Sequence, residues 1–559
     1  MAIECCTPSY FDCCCKNACS SRKKSRDLDI GQDFGINYYY LEHVLPYFPC
    51  DLNKDSVLDF SESELLLGGH ISFKYAADGI VDFHSIRLVT SNAKQMSKIF
   101  QFSFGFEEIA YKGLETGSQL IASHILKNEN VTIELINNLV TETYPINDDI
   151  ENKSTLNLNF DYDKLLLIKS ITDYCNVMIA DEGQTDIVSQ FNLGSCVKCP
   201  QTNDLQALFN PEYIDFLKPI SDHQFARVEG SLIQDFLSKH CDGVIDVSFV
   251  VNDVSLSFAK AIVNGAKIIR PPTMISDKYG KVKIATIGVP NTDLLHTLIE
   301  NVNYVGSYLP NYLNKNDHSA INFDLITQNK NHTDIPLSTI DHCVENYSWG
   351  QTANQSKFYA NAFGFHKFWA VDEDDVSTVD SSLVSIVMAS ANGKVKLPLN
   401  EPAKGEMRGQ IEEFNDYNHG PGIQHVAFKT KNIIATVRGL KARGVEFNEM
   451  GKYYYENLIQ RMNTDGVKIK EDIKELMELN ILVDYTKLKT GTCNYILQIF
   501  TKPIHDRPTL FFEIIQRNHH NGFGKGTFKG LFESIEAQQI LRGTLIPSQK
   551  NKNNSIKNV

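Results

Sequence analysis

Apolar and polar residues follow the same order at two places in this chain. A stretch that alternates like a β-strand is followed by a stretch with helical spacing and then by a Phe-Gly-Phe tripeptide. This order occurs at residues 81–90, 92–102 and 104–106, and again at residues 340–344, 354–362 and 363–365. From the strand histidine to the central glycine the spacing is 21 residues in the first copy, His84 to Gly105, and 22 in the second, His342 to Gly364. The two stretches are therefore predicted to fold alike.

A second pair of matching segments follows these two. One begins at Gly243 and leads through a helical stretch to Gly265, and the other begins at Gly422 and leads to Gly444, so both spacings are 22 residues. Each copy has the pattern of a strand, a helix, a glycine and further strands, and the four copies form two similar halves. Agreement in spacing at four places indicates internal duplication and predicts an α+β protein.

The repeats leave several regions without a counterpart. Residues 138–237 are rich in Asn and Asp, and they form a connection that is too long for a plain loop. We therefore expect an N-terminal half at 80–310 that contains this insert, and a C-terminal half at 335–545. Residues 1–79 are predicted to be a leader and extension, and the Lys/Asn-rich residues 546–559 to be a disordered tail.

Composition and charge narrow the class of protein. The chain has 559 residues, of which 42% are hydrophobic and 22% charged, and these fractions exclude collagen-like, coiled-coil and wholly disordered proteins. The formal net charge of −14 argues against a nucleic-acid partner and favours a small-molecule one. Since no apolar run approaches the ~18–20 residues of a membrane-spanning helix, we expect a soluble, cytoplasmic protein without a transmembrane segment.

The cysteines bear on the location of the protein. Six of the 13 lie within the first nineteen residues and precede the basic stretch 22–26. A disordered leader and a lipid-anchored, S-acylated leader both fit this pattern. Cys196 and Cys199 would form half of a zinc site, but no second pair has matching spacing.

Three residues of the C-terminal half could bind a metal together. His342 and His425 lie on the first strands of successive units, and Glu513 follows after a further 88 residues. Two imidazoles and one carboxylate on one face are the ligands of non-haem Fe(II) oxygenases. In the N-terminal half we expect His84 to take the position of His342, Asp246 that of His425, and Glu300 that of Glu513. We predict that this second set binds no metal, because one half of a duplicated enzyme usually serves as scaffold.

Longer motifs resemble one enzyme family. Residues 420–428 with 443–447, and residues 507–517 leading into 522–526 and 531–536, are similar to the 4-hydroxyphenylpyruvate dioxygenase family. Shorter motifs of the same family occur at residues 397–402, 497–503, 111–117 and 277–283. The resemblance covers roughly residues 80–137 and 238–545.

The resemblance implies a fold, a cofactor and a reaction. The fold would be the vicinal-oxygen-chelate fold, with tandem βαβββ units in two halves and catalysis in the C-terminal half. One Fe(II) per chain would be bound by His342, His425 and Glu513. The enzyme would convert 4-hydroxyphenylpyruvate and O2 into homogentisate and CO2 in tyrosine catabolism, as a homodimer or homotetramer.

The resemblance also implies a substrate pocket. The catalytic positions would be Gln424, Gln498, Phe500 and Phe528, and the substrate-binding positions would be Ser385, Asn400, Gln410, Phe511 and Phe523. Gln424 adjoins His425 and would point to the opposite face unless the strand is distorted. A helix from Phe528 to Leu541 would cover the pocket as a gate. Thr527 departs from the family, which has Asn at this position.

Three alternatives stay open. A 4-hydroxymandelate synthase uses the same iron and substrate, but Pro398, Asn400 and Phe528 match the dioxygenase instead. A non-catalytic homologue would act as a binding protein, and the intact metal triad argues against it. A glyoxalase-like lyase would need a metal site richer in Glu.

Overall fold

The computed structural model describes residues 79–140, 222–315, 335–371, 381–489 and 491–546. The leader with its cysteines, the Cys196/Cys199 pair, most of the predicted insert and the tail after residue 546 lie outside these residues. In the described ranges, no helix is long and apolar enough to cross a membrane.

The strands form two sheets, one for each half of the chain. The first sheet has the order β6-β7-β8-β5-β1-β4-β3-β2-β9 and the second the order β11-β12-β13-β10-β14-β17-β16-β15. The strands of the first sheet are β1 Ile80–Val89, β2 Glu107–Lys112, β3 Ile121–Asn128, β4 Val131–Asn138, β5 Gly243–Val251, β6 Lys267–Asp277, β7 Gly280–Gly288, β8 Leu295–Asn301 and β9 Leu313–Asn314. Those of the second are β10 Thr339–Asn346, β11 His366–Val371, β12 Leu383–Ala389, β13 Lys396–Pro402, β14 Gly422–Lys429, β15 Leu482–Lys487, β16 Cys493–Phe500 and β17 Phe511–Asn518.

Helices connect the strands of each unit or pack beside the sheets. They are α1 Ala93–Phe104, α2 Asp222–His240, α3 Val254–Val263, α4 Thr352–Phe363, α5 Gln410–Asn418, α6 Ile433–Ala442, α7 Lys452–Asp465, α8 Ile473–Leu479 and α9 Lys525–Arg542. The side chain of Asn92 caps α1 and that of Asn432 caps α6. Gly105 and Gly364 end α1 and α4 with φ of +70° and +65°, a conformation that glycine adopts without steric cost.

Each sheet is built from two βαβββ units that meet through their first strands, and the first sheet has β9 as an additional edge strand beside β2. In the first sheet β1 pairs antiparallel with β5, and in the second β10 pairs antiparallel with β14. Inside each unit the first strand runs parallel to the last, as β1 does with β4 and β14 with β17. This architecture confirms the prediction of tandem βαβββ units in two similar halves.

One apolar core joins the two halves. The ring of Phe512 on β17 contacts Phe100 and Phe104 of α1, with centroids 5.7 and 5.4 Å apart. In the same way Phe249 on β5 contacts Phe363 and Phe365 of the C-terminal half. The halves therefore pack through buried aromatic side chains and share the core in which the strands of the site are held.

Helix α2 lies mostly within the range 138–237 that the sequence assigned to the insert and ends three residues beyond it. Its residues Ile233 and Phe236 pack against Val89 and Ile245 of the first sheet. Glu229 on the same helix accepts a hydrogen bond of 2.7 Å from Arg87 on β1. The final part of the 138–237 range thus belongs to the fold of the N-terminal half.

Candidate metal centre

Three neighbouring strands bring His342, His425 and Glu513 together. Ala427 on β14 pairs with His342 on β10 and with Glu513 on β17, so these two residues flank it on either side. His425 lies two residues before Ala427 and therefore faces the same side of the sheet. One ligand atom of each of the three residues lies within 4.8 Å of the others, and all three side chains are buried.

A β-bulge precedes each of the two histidines. In the β10–β14 pairing, the register shifts at Asp341 on one strand and at Gln424 on the other. The Asp341 Oδ1 atom accepts a hydrogen bond from Nδ1 of His342 at 2.9 Å, and Gln424 Oε1 accepts one from Nδ1 of His425 at 3.0 Å. A bulge re-aims side chains in this way, and it explains how Gln424 reaches the same site as its neighbour His425.

These contacts leave the second nitrogen of each ring for a metal. Nε2 of His342 lies 3.1 Å from Oε2 of Glu513, and Nε2 of His425 lies 3.4 Å from the same oxygen. The other oxygen of Glu513, Oε1, accepts a hydrogen bond of 2.8 Å from Gln498 on β16. Each of the three side chains is thus oriented by one partner, as is typical of metal ligands.

The electrostatics of the triad suit a cation. Burial opposes the charge of Glu513, but the imidazoles of His342 and His425 hold its pKa at about 2. Burial also opposes protonation of His342, and the carboxylates of Glu513 and Asp341 nevertheless raise its pKa. For His425 burial prevails and lowers the pKa. A buried carboxylate beside two imidazoles fits a divalent transition metal, with positions left open for other ligands.

Aromatic rings surround the triad. The ring of Phe511 stacks on His425 with centroids 4.8 Å apart, and Phe500 meets the same imidazole edge-on at 6.0 Å. Phe523 lies against His342 with centroids 5.0 Å apart. Helix α9 contains Phe528, as the sequence predicted, but the side chains of Phe528 and of its neighbour Thr527 lie outside the described part of the structure.

Polar side chains accompany these rings. Ser385 on β12 pairs with Asn400 on β13, both are buried, and Asn400 donates a hydrogen bond of 3.3 Å to Oδ1 of Asn346 on β10. Gln410 on α5 accepts a hydrogen bond of 3.2 Å from Gln424. The structure thus joins the predicted residues into two groups, one at Ser385 and Asn400 and one at Gln410 and Gln424.

A pocket that is partly open to solvent adjoins the second group. Gln410, Gln424 and Phe511 line it on the side of the triad, while Ile535 and Gln538 of α9 line it on another side. The terminal helix therefore forms part of the wall of a space that lies one layer of side chains from the triad.

The sequence missed two residues that lie at the site. Asp341 orients His342. Its position directly before a predicted ligand histidine, which matches that of Gln424 before His425, could have identified it from the sequence. Asn346 is fully buried, and its Nδ2 atom has no hydrogen-bond partner although Oδ1 accepts from Asn400. An unsatisfied buried amide donor favours a ligand nearby, and nothing in the sequence distinguished it.

The expected counterparts in the N-terminal half were wrong at two of three positions. Ser248 on β5 is the equivalent of Ala427, and it pairs with Ser85, so Ser85 and not His84 takes the position of His342. His84 is the bulged residue there, as Asp341 is in the other half. By the parallel pairing of β5 with β8, Thr297 and not Glu300 takes the position of Glu513.

In the N-terminal half, neighbouring side chains donate hydrogen bonds to the buried carboxylates. Asp246, where His425 lies in the other half, accepts hydrogen bonds from Thr297 and Ser248 at 2.5 and 2.8 Å. On β4, at the other side of β1, Glu134 accepts hydrogen bonds from Arg87, Tyr308 and Tyr312. Among the residues that the structure describes, His342, His425 and Glu513 are the one group suited to a metal.

Comparison with known proteins gives consistent results. Residues 339–470 match the Glyoxalase/Bleomycin resistance protein/Dioxygenase superfamily. The chain is 36% identical over 464 residues to 4-hydroxyphenylpyruvate dioxygenase of Coccidioides posadasii, a match that covers 83% of this chain and 94% of the relative. The enzyme of the same name from Danio rerio is 34% identical over 466 residues, which cover 83% and 92% of the two chains.

Among solved structures, a triple mutant of 4-hydroxymandelate synthase from Streptomyces coelicolor has a similar fold. Its TM-score is 0.55 at 22% identity, and the match covers 82% of this chain and 99% of that one. At this identity the likeness concerns the fold alone.

Proposed function

Because this chain belongs to the 4-hydroxyphenylpyruvate dioxygenase family, we propose that it converts 4-hydroxyphenylpyruvate and O2 into homogentisate and CO2. The reaction is balanced: the substrate carboxylate leaves as CO2 with its own two oxygen atoms, one oxygen atom of O2 enters the new carboxylate at the former keto carbon, and the other becomes the new ring hydroxyl. The observation that carries the proposal is the convergence of His342, His425 and Glu513, each with an orienting partner.

The proposed resident metal is one Fe(II) per chain, held by Nε2 of His342, Nε2 of His425 and Oε2 of Glu513. Fe(II) would supply the redox chemistry that activates O2, and its remaining positions suit the α-keto acid group of the substrate. The hydrogen bonds from Nδ1 of both histidines fix the ring tautomer so that Nε2 can bind metal. Gln498 holds Glu513 by one oxygen and leaves the other for the metal.

The aromatic side chains are proposed to bind the substrate ring and to exclude water. Phe500 and Phe511 lie on the His425 side of the triad and Phe523 lies on the His342 side. Phe528 is proposed to complete this wall from helix α9. A dry surrounding protects a reactive oxidising centre from side reactions with solvent.

The polar side chains are proposed to orient the oxygen atoms of the substrate. Ser385, Asn400 and Asn346 form one polar group, and Gln410 and Gln424 form another. Uncharged groups can hold carbonyl and hydroxyl oxygens without changing the net charge at the metal. The buried amide donor of Asn346 lacks a partner, and a substrate oxygen would satisfy it.

The assembly and location of the enzyme are further parts of this proposal. We propose a cytoplasmic homodimer or homotetramer. The three cysteines of the described residues, Cys241, Cys343 and Cys493, are free thiols, which fits a reducing compartment. Light scattering of the purified protein and fractionation of cells would test the two statements.

The experiment that tests the function is product analysis on the Fe(II)-reconstituted full chain. Consumption of O2 and release of one CO2 per 4-hydroxyphenylpyruvate, with homogentisate as the product, is the expected result. A mandelate product would replace the proposal with the synthase reaction. Absence of O2 consumption, with iron bound, would favour a non-catalytic homologue.

A further inference from the structure

A buried ion pair links the first metal-ligand strand to the third. Asp341 on β10 accepts two hydrogen bonds from the guanidinium of Arg517 on β17, Nε to Oδ2 at 2.8 Å and Nη2 to Oδ1 at 2.7 Å. Both side chains are almost entirely buried, at 4% and 9% exposure. A bidentate pair of this kind defines orientation as well as distance.

Asp341 uses the same carboxylate to hold a metal ligand. Its Oδ1 atom accepts from Nδ1 of His342 as well as from Arg517. The corresponding partner of His425 is the neutral amide of Gln424. The two histidines thus differ in their partners, since one faces a carboxylate that is anchored by a cation and the other faces an amide.

Arg517 reaches in the opposite direction as well. Its Nη1 atom donates to the carbonyl oxygens of His520 and Gly522, at 3.1 and 2.6 Å. Its guanidinium lies over the ring of Phe523, 5.3 Å from the centroid, and that ring in turn lies against His342. The segment of residues 519–524, which carries Phe523 and leads into helix α9, is therefore attached to the same cation.

We propose that Asp341 and Arg517 act as one positioning pair, which sets the orientation of His342 for the metal and the place of Phe523 in the pocket wall. The inference rests on the proposed function of the triad as a metal centre. Because one guanidinium contacts both the carboxylate behind His342 and the 519–524 segment, the ligand and the wall are aligned together. Neither residue touches the substrate in this arrangement, and both act through their neighbours.

Removing one member of a buried ion pair also destabilises the protein, because it leaves the other charge unpaired. The test therefore uses three variants, Asp341→Asn, Arg517→Met and the double variant, and measures two quantities for each. The first is the dissociation constant for Co(II), followed by its visible absorption. The second is the unfolding midpoint of the metal-free protein.

The proposal predicts that in the double variant the unfolding midpoint recovers while the Co(II) affinity does not. Each single variant is expected to unfold earlier than the wild type and to bind Co(II) about 10- to 100-fold more weakly, the usual cost of losing an orienting partner. In the double variant no buried charge is left unpaired, so the midpoint should recover toward that of the wild type. The weak Co(II) binding should persist, because His342 still lacks its anchored carboxylate.

Glu345→Gln is the matched control, since Glu345 is a fully buried carboxylate on the same strand that contacts Tyr347 and Tyr359 instead of a ligand. It should change Co(II) binding less than twofold. Amide hydrogen exchange gives a further readout. Exchange at residues 519–524 should accelerate in Arg517→Met and stay unchanged in Glu345→Gln.

Recovery of both midpoint and Co(II) affinity in the double variant would overturn the inference, because the pair would then be structural only. Unchanged exchange at residues 519–524 in Arg517→Met would overturn the part that concerns Phe523. A wild-type chain that binds no Co(II) would refute the metal centre and the positioning pair with it. Tight Co(II) binding without turnover of 4-hydroxyphenylpyruvate by the Fe(II) form would refute the proposed reaction alone.

Discussion

Replacing Glu345 by Gln should change how the stability of the protein depends on pH. Glu345 is fully buried, and it accepts hydrogen bonds from the hydroxyls of Tyr347 and Tyr359. The Tyr359 hydroxyl also lies 2.8 Å from Nε2 of His296, whose Nδ1 donates to the carbonyl of Val247. This buried network connects β10 of one half with β8 of the other.

The sign of the effect follows from the two protonation states. Burial raises the pKa of Glu345 from 4.5 to about 7, against the opposing effect of the two tyrosine hydrogen bonds. Below pH 4.5 the carboxyl is protonated in the folded and the unfolded chain alike. Between pH 4.5 and 7 only the folded chain keeps the proton, so the contribution of Glu345 to stability falls as the pH rises.

The magnitude follows from the same two values. A pKa of about 7 against 4.5 corresponds to about 3 kcal/mol of unfolding free energy, lost between pH 4 and pH 8. The contribution of His296 to stability has the opposite pH dependence. Burial lowers the pKa of His296 to about 4, and its contribution is therefore lost as the pH falls. In the wild type the two groups therefore change the unfolding free energy in opposite directions as the pH rises. In Glu345→Gln only the effect of His296 remains, so the unfolding free energy should increase with pH.

The assay is urea unfolding of wild type and variant between pH 4 and pH 8, followed by tryptophan fluorescence. From pH 4 to pH 8, the free energy of unfolding of the variant relative to that of the wild type should increase by about 3 kcal/mol. Glu456→Gln is the control, since the side chain of Glu456 is 51% exposed and should give a constant difference. Parallel curves for wild type and Glu345→Gln would refute the reasoning.

Three further predictions concern the metal. Alanine substitution of His342, His425 or Glu513 should abolish metal binding, measured by metal analysis after dialysis, and should abolish turnover as well. Full activity in any one of these variants would contradict the ligand assignment. His84→Ala should keep the metal content of the wild type, because Ser85 takes the equivalent position, and loss of metal there would contradict a single centre per chain. Gln498→Leu removes the donor to Oε1 of Glu513, so metal affinity measured by titration should fall by about 10-fold. An unchanged dissociation constant would show that Glu513 needs no orienting amide.

Local patterns in the sequence determined much of the architecture. Alternation and helical spacing predicted β1, α1, β10 and α4, and the glycines at 105 and 364 marked the helix ends. The equal spacing of repeated motifs predicted two halves of two units each. These features depend on residues close together in the chain, which is why the sequence alone sufficed.

The three predicted metal ligands also come together in the structure, yet their partners were only partly predictable. The strand position of His425 followed from the repeat. Arg517, by contrast, lies 176 residues from Asp341, and no local pattern connects the two. Asn346 likewise became a candidate only because the folded chain leaves its buried Nδ2 atom without a hydrogen-bond partner.

Tertiary structure decided which side chains face the site. The bulges at Asp341 and at Gln424 shift the register by one residue, and the matching bulge at His84 makes Ser85 the counterpart of His342. Since neighbouring residues of a strand face opposite sides of a sheet, a shift of one position exchanges the residues that point inward. Register depends on pairing between strands that are far apart in sequence, and therefore the sequence determined the elements while only their pairing determined the site.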